Sequence, residues 1–382
     1  MGEYNLTSDQ LLYRDTTREF LAKEAPLTKV RELAVSSNGF DPAWWRRGAE
    51  LGWTAMLVAP DLGGESISGD ALLDLTIVAE EMGRLVSPGP LVPTNVVVMA
   101  LSYASTAAAH HEAIEVLASG LATASWAVYE PGHGWDPAGV ELTATADGDC
   151  FVLNGVKDRV ESGDQADYLM VTARTSEGPG QFLVPVTAPG VAVTRSQSLD
   201  LVRRFAAVRF DNVRVGCGSQ VGTPQETPAA IQRQLRTAVV LQCAEMTGAA
   251  GRVLEFTIQW AFDRYSFGRP LASYQALKHR FADMRLMIEA MFATASAAAR
   301  ADADDDAAAI ELASVAKAYI GERATDIVQD CVQLHGGIGV TWEHDIHLYL
   351  RRVTVDRVMW GTPSEHRRLI ADILDAKGQT GE

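Results

Sequence analysis

Arg264-Tyr-Ser-Phe267-Gly268-Arg-Pro-Leu271 with Gln275, and Gln333-Leu-His-Gly336-Gly337-Ile-Gly339, are the stretches whose reading decides the fold. Arg264 carries a fixed cationic fork suited to pyrophosphate oxygens. Phe267 offers an aromatic face, and the amides of Gln275 and Gln333 can hydrogen-bond a ligand. Gly336-Gly337 lets a backbone approach a ligand closely. Taken singly, Phe267 reads equally well as core and the glycine pair as a helix stop.

Around these stretches lies a chain of 382 residues, long enough for two or three subdomains around a large core. Its 47% hydrophobic and 21% charged content is ordinary for a soluble globular protein. A net charge of −16 argues against nucleic acid as a partner, because phosphate binding needs a basic face. An anionic cofactor is still compatible where the cations are local.

Cys150, Cys217, Cys243 and Cys331 are far apart with no CxxC pair, which reads as reduced thiols and not as a metal site or a disulfide framework. The first residues show no basic region followed by an apolar run, so no secretory signal is expected, and Gly2 lacks the nearby basic residues that would support a myristoyl anchor. No apolar run reaches the roughly 18 residues of a membrane span. The expected location is cytoplasmic.

The texture of the chain runs helix, strand, helix. Thr7-Ser8 open an amphipathic helix with Leu11, Leu12, Phe20 and Leu21 on one side. Further helices are expected at Pro42–Leu51, Asp70–Glu81 and within Ala104–Leu121, with Pro60-Asp-Leu-Gly63-Gly64 as a turn. From Ala124 the segments Val140–Thr145, Cys150–Leu153, Tyr168–Ala173, Gln181–Val186 and Ala206–Asn212 read as antiparallel strands of a small barrel or sandwich. Thr227-Pro228 returns to helix, with Thr227 as N-cap, and the acidic run Ala301–Asp306 reads as a solvated break between long helices. The expected fold class is α+β, mostly α. Residues 1–123 would form a helical domain, 124–226 a β-domain and 227–382 a helical bundle. His344-Asp-Ile-His347 beside Glu343 has no third ligand in a pattern, so these are read as helix-surface residues and no metal is expected. His110-His111 ends an alanine-rich helix and signals nothing sharp.

Over essentially its whole length the chain resembles the acyl-CoA dehydrogenase family. The resemblance rests on Leu51-Gly-Trp with Pro60-Asp-Leu-Gly-Gly, Glu80-Glu-Met-Gly-Arg84, Glu130-Pro131, Asn154-Gly155-x-Lys157 and the two opening stretches, in order and at the family's spacing. It implies a helical N-domain, a β-barrel middle, a four-helix C-domain and assembly as tetramers. It also implies abstraction of a proton α to a thioester and passage of the β-hydride to FAD lying across a subunit interface. The resemblance assigns Arg264, Ser266, Phe267, Leu271, Gln275, Gln333, Gly336 and Gly337 to the adenosine and pyrophosphate side of that cofactor, reaching into the neighbouring subunit.

The flavin-ring side departs from the family pattern. Where the family has a Thr before Glu-Pro and a Ser four residues after that Pro, this chain has Tyr129 and Trp135. The family's aromatic-Ile-Thr-Asn aligns with Arg159-Val-Glu161-Ser162, placing a carboxylate where a neutral donor is needed and where an unpaired one would be costly to bury. The two family locations of the catalytic Glu hold Trp360 and Ala238, neither of which takes a proton. Glu245, seven residues beyond Ala238, is the one substitute candidate, displaced two helical turns or roughly 10 Å.

The resemblance, including the run Thr341–Arg352, extends to actinobacterial dehydrogenases of steroid side chains. It implies a base-lacking subunit of an α2β2 heterotetramer that completes the FAD site of a second acyl-CoA dehydrogenase subunit. The substrate would be an acyl-CoA, a steroid one by resemblance alone, and an electron-transfer flavoprotein would be the acceptor. Two alternatives stay open: a self-sufficient homotetramer using Glu245, and a non-enzymatic scaffold that kept the fold.

Overall fold

The computed structural model describes residues 6–36, 38–134, 139–303 and 308–380. The expected positions Gly2 and Trp135, and most of the acidic run before residue 307, lie outside them. In chain order the elements are α1 (Ser8–Glu24), α2 (Leu27–Val35), α3 (Pro42–Glu50), α4 (Ala71–Arg84), α5 (Leu91–Tyr103) and α6 (His111–Ala118), then strands β1 (Ala124–Ala127), β2 (Thr143–Asp147), β3 (Cys150–Glu161), β4 (Tyr168–Thr175), β5 (Gly178–Pro185), β6 (Val191–Ser196), β7 (Phe205–Gly216) and β8 (Gln220–Val221). Helix α7 (Thr227–Asp263) follows, then a hairpin of β9 (Tyr265–Ser266) and β10 (Arg269–Pro270), and helices α8 (Gln275–Ala303), α9 (Ala309–His335), α10 (Ile346–Val358) and α11 (Pro363–Thr380). The fold is helix, sheet, helix as the texture implies.

The chain divides into two compact units, one of residues 1–32, 67–87 and 239–382, the other of residues 33–66 and 88–238. In the first, α4 packs on α1 and α8, and α9 on α8, α10 and α11, with the second half of α7 in the same unit. The crossing of α4 on α7 is set by two glycines. A Cβ on Gly83 would sit 2.0 Å from the carbonyl oxygen of Glu245, and one on Gly248 2.0 Å from that of Glu80. No larger residue permits that approach.

The second unit holds α5 against β1 and an eight-stranded sheet ordered β6-β7-β3-β2-β4-β5-β8, with β1 added beside β4. Leu153, Leu169, Val171, Phe182, Val208 and Phe210 fill its core. The sheet is not wholly antiparallel: β1 and β2 both run parallel to β4, which alternation within a strand cannot reveal. The β3–β7 ladder shifts register between Lys157 and Val160, and inside that irregularity Arg159 takes φ +49°.

Local readings need three corrections. Thr7 does cap α1 in a reciprocal pair with Gln10, but the buried face is Gln10, Arg14, Thr17 and Leu21, while Leu12 is 69% exposed. The polar face is buried because Gln10 donates to the buried Asp74 at 2.7 Å. Thr227 is not a cap: its hydroxyl donates back to the Thr223 carbonyl, and Thr223 with Glu226 forms the reciprocal capping pair one turn earlier. Helices α2 and α5 and strand β6 have no counterpart in the sequence reading. Helix α5 is buried almost all round, so no amphipathic period marks it.

Candidate functional site

The first half of the site is a surface feature of the first unit. Beyond α7, the β9–β10 hairpin turns at Phe267-Gly268, with φ +50° and +80°. Two positive φ values are the mark of the tight hairpin turn that fits strand twist, and a Phe there costs about 1 kcal/mol. The ring is nonetheless 97% exposed. Leu271 donates its N–H to the Arg264 carbonyl at 2.8 Å, and Tyr274 donates its hydroxyl to the Ser266 carbonyl at 2.9 Å, so the hairpin is closed at its base. Arg264 and Gln275 are exposed, and Gln275 opens α8. Gln333 is exposed in the last turn of α9, and Gly336 ends that helix at φ +65°. A Cβ at Gly336 or Gly337 would meet open space, so these glycines are not demanded by packing within the chain.

The other half, in the second unit, is closed by its own side chains. Three consecutive residues of β3 tie down the segment that opens the β-domain. Lys157 Nζ donates to the Val128 carbonyl at 3.2 Å, Asp158 N–H to that of Tyr129 at 3.0 Å, and Arg159 Nη2 to those of Glu130 and His133 at 2.8 Å. The Arg159 guanidinium also covers the buried Tyr129 ring, 4.8 Å from its centroid. Glu161 is buried as expected but not unpaired: Arg203 lies 3.4 Å away, both side chains 6% exposed. The sequence reading missed Arg203 because it lies about forty residues on, beyond β6.

Glu130, His133 and Glu141 bring three ligand-type atoms within 4.8 Å of one another. Glu130 is already taken, however, by Lys157 at 2.6 Å and by the N–H groups of Glu141 and Leu142 at 2.7 and 3.0 Å. Burial would raise its pKa, but these donors outweigh it and hold the carboxyl below its usual range.

The base positions are built into packing. Ala238 is fully buried in α7. Trp360 is 3% exposed at φ +59°, followed by Gly361 at +103°, and its carbonyl accepts from His366 Nε2 at 2.9 Å. Burial pushes the His366 imidazole down to about 4. Thr362 and Glu365 then cap α11 reciprocally. Glu245 is buried against Arg352, whose guanidinium also donates to the Ser87 carbonyl at 3.4 Å. The pair gives Glu245 a structural role, as the counter-charge of a buried cation.

The histidines need correcting as well. His344 precedes α10 and packs half-buried against His335, ring centroids 4.5 Å apart, and against Phe256 at 5.8 Å. His347 stacks on Trp342 at 4.7 Å. Cys243 and Cys331 are buried thiols pushed up to about 12 by burial, and Cys217 is exposed.

Family models for the acyl-CoA dehydrogenase N-terminal, middle and C-terminal domains match residues 7–121, 125–213 and 229–374. The chain belongs to the acyl-CoA dehydrogenase family. It is 32% identical to the acyl-CoA dehydrogenase IpdE2 of Mycobacterium tuberculosis over 372 residues, covering 96% of this chain and 98% of that one. Among solved structures it is similar to a variant of the Tcur3481-Tcur3483 steroid ACAD, with TM-score 0.86, 30% identity and coverage of 97% and 98%. A glutaryl-CoA dehydrogenase from Mycobacterium smegmatis in complex with FADH2 shares the fold at TM-score 0.88, 24% identity and coverage of 100% and 97%. Among the described residues no helix is long and apolar enough to cross a membrane.

Proposed function

We propose that the chain is the base-lacking subunit of a cytoplasmic, heteromeric FAD-dependent acyl-CoA dehydrogenase. In that assembly Arg264, Ser266, Phe267, Leu271, Gln275, Gln333, Gly336 and Gly337 grip the adenosine and pyrophosphate of a cofactor whose flavin ring lies in a partner subunit. The carrying observation is Phe267, a ring 97% exposed on a strained turn, beside an exposed Arg264. Nothing in the packing of the described residues accounts for the exposure of that ring, whereas a neighbouring subunit would cover it. The apolar groove of about 450 Å³ beside it, lined by Ile258, Phe262, Pro270 and Phe281, suits the same neighbour.

The donor set of the hairpin and turn fits a pyrophosphate: a cationic fork, two amides and an open glycine backbone. The flavin-ring segment does not fit, because Arg159, Tyr129 and the Arg203–Glu161 pair occupy it. When bound, FAD supplies acceptance of a hydride from the β-carbon of an acyl-CoA. This chain's own residues hold its distal end, while proton abstraction falls to the partner's Glu. The substrate is proposed to be a steroid side-chain CoA thioester, in line with the steroid ACAD similarity, and the electron acceptor an electron-transfer flavoprotein. Against the homotetramer reading stands the buried ion pair that engages Glu245 with Arg352.

The test is the visible spectrum of the chain expressed alone and co-expressed with an acyl-CoA dehydrogenase homologue. Flavin and activity should appear only in the complex, and Arg264→Ala should sharply reduce its flavin affinity. Stoichiometric flavin in the lone chain sinks the proposal, and a complex without flavin points to the scaffold reading.

A further inference from the structure

Arg252, Phe256, Trp260 and Arg264 recur every fourth residue along and just beyond α7, so they share one face of the helix. The N–H of Arg264 still bonds the Trp260 carbonyl at 2.9 Å, which carries the helical register past its last turn. The guanidinium of Arg264 lies over the Trp260 ring, 5.9 Å from its centroid. Trp260 in turn stacks on His335, with centroids 5.4 Å apart and planes 23° from parallel. Phe256 meets the same imidazole edge-on at 5.7 Å.

His335 is itself fixed. It is 4% exposed, and its Nδ1–H donates to the Cys331 carbonyl at 2.8 Å, which sets both ring orientation and tautomer. His344 closes against it edge-on. The residue after His335 is Gly336, where the chain leaves α9 at positive φ. The arginine hairpin and the glycine turn are about seventy residues apart in sequence, and this stack is what joins them.

We infer that Trp260 and His335 are positioning residues that hold Arg264 and the Gly336-Gly337 turn as one cofactor-gripping surface. The inference rests on the half-site reading proposed above. An exposed arginine loses rotamer freedom when it grips a phosphate, and a guanidinium already laid on an indole loses less of it. Neither positioning residue needs to touch the cofactor: Trp260 orients the cation, and His335 ties that orientation to the backbone of the turn.

The co-expressed complex tests this through its FAD dissociation constant, read by flavin fluorescence, with the melting temperature of the FAD-free complex recorded beside it. Trp260→Leu should weaken FAD by roughly two- to fivefold. Trp260→Tyr, which keeps an aromatic face and is the variant least at risk of misfolding, should bind FAD as the unaltered complex does. In an Arg264→Ala background, Trp260→Leu should add no further loss, which a merely structural role would not produce. The inference is overturned if Trp260→Leu binds FAD undiminished, if Trp260→Tyr loses as much as Trp260→Leu, or if the two losses simply multiply. Arg264→Ala alone separates the two ideas. Undiminished FAD in that variant fails the half-site reading itself, whereas a loss there with none in Trp260→Leu fails only the positioning.

Discussion

The Arg159 guanidinium lies over the Tyr129 ring at 4.8 Å from its centroid, while its Nη2 donates to two carbonyls of the same segment. Arg159 lies within the register shift of β3 between Lys157 and Val160. Arg159→Ala should destabilise the chain by about 1–2 kcal/mol, from the lost cation–π contact and hydrogen bonds. FAD content of the complex should not change. Denaturant unfolding of the lone chain and flavin absorbance of the complex check the two halves. A parallel fall in flavin would mean that this segment does face a cofactor.

Phe267 makes the opposite prediction. Because its ring is 97% exposed, Phe267→Ala should leave the stability of the isolated chain within about 0.5 kcal/mol. The same change should weaken the complex by about 1–3 kcal/mol, as expected for an aromatic anchor buried by a partner. Chemical unfolding of the chain and titration calorimetry of subunit association measure these separately.

Glu245 separates a structural carboxylate from a catalytic one. Glu245→Gln leaves Arg352, 1% exposed, without its counter-charge, which should cost about 3–5 kcal/mol of stability. Turnover by whatever complex remains folded should be unchanged, and its pH–rate profile should keep the same limbs. A loss of kcat by several orders of magnitude without a stability change would make Glu245 the base.

How much of this was legible in the sequence varies with the range of the interaction. The helix–sheet–helix order was, because texture and turn residues are local. The stretches around Arg264 and Gly336 stand out by residue type, and the structure places Arg264, Gln333 and the glycine pair at the surface. Glu161 illustrates the limit: its type suggests an uncompensated charge, and only the fold brings Arg203 to it. Glu245 has the same history with Arg352, more than a hundred residues away. Leu12 misled for a different reason. Gln10 and Asp74 bury a polar pair, so the face of α1 that enters the core is not the greasiest one.

His366 gives the chain a pH dependence whose sign is fixed by its burial. Buried in α11 with Nε2 donating to the Trp360 carbonyl, it is pushed down from an ordinary 6.5 to about 4, chiefly by loss of water. Between those values the unfolded chain binds a proton that the folded chain refuses, so stability rises with pH across the window. The contribution is complete above pH 6.5 and is lost as pH falls toward 4, amounting to roughly 3 kcal/mol from the size of the shift. His366→Gln keeps a donor for the Trp360 carbonyl but cannot titrate. Denaturant unfolding of both proteins across that window should therefore show a stability difference that shrinks on acidification. A difference that stays constant from pH 7 to pH 4 would mean that His366 titrates in the folded chain as it does in the unfolded one.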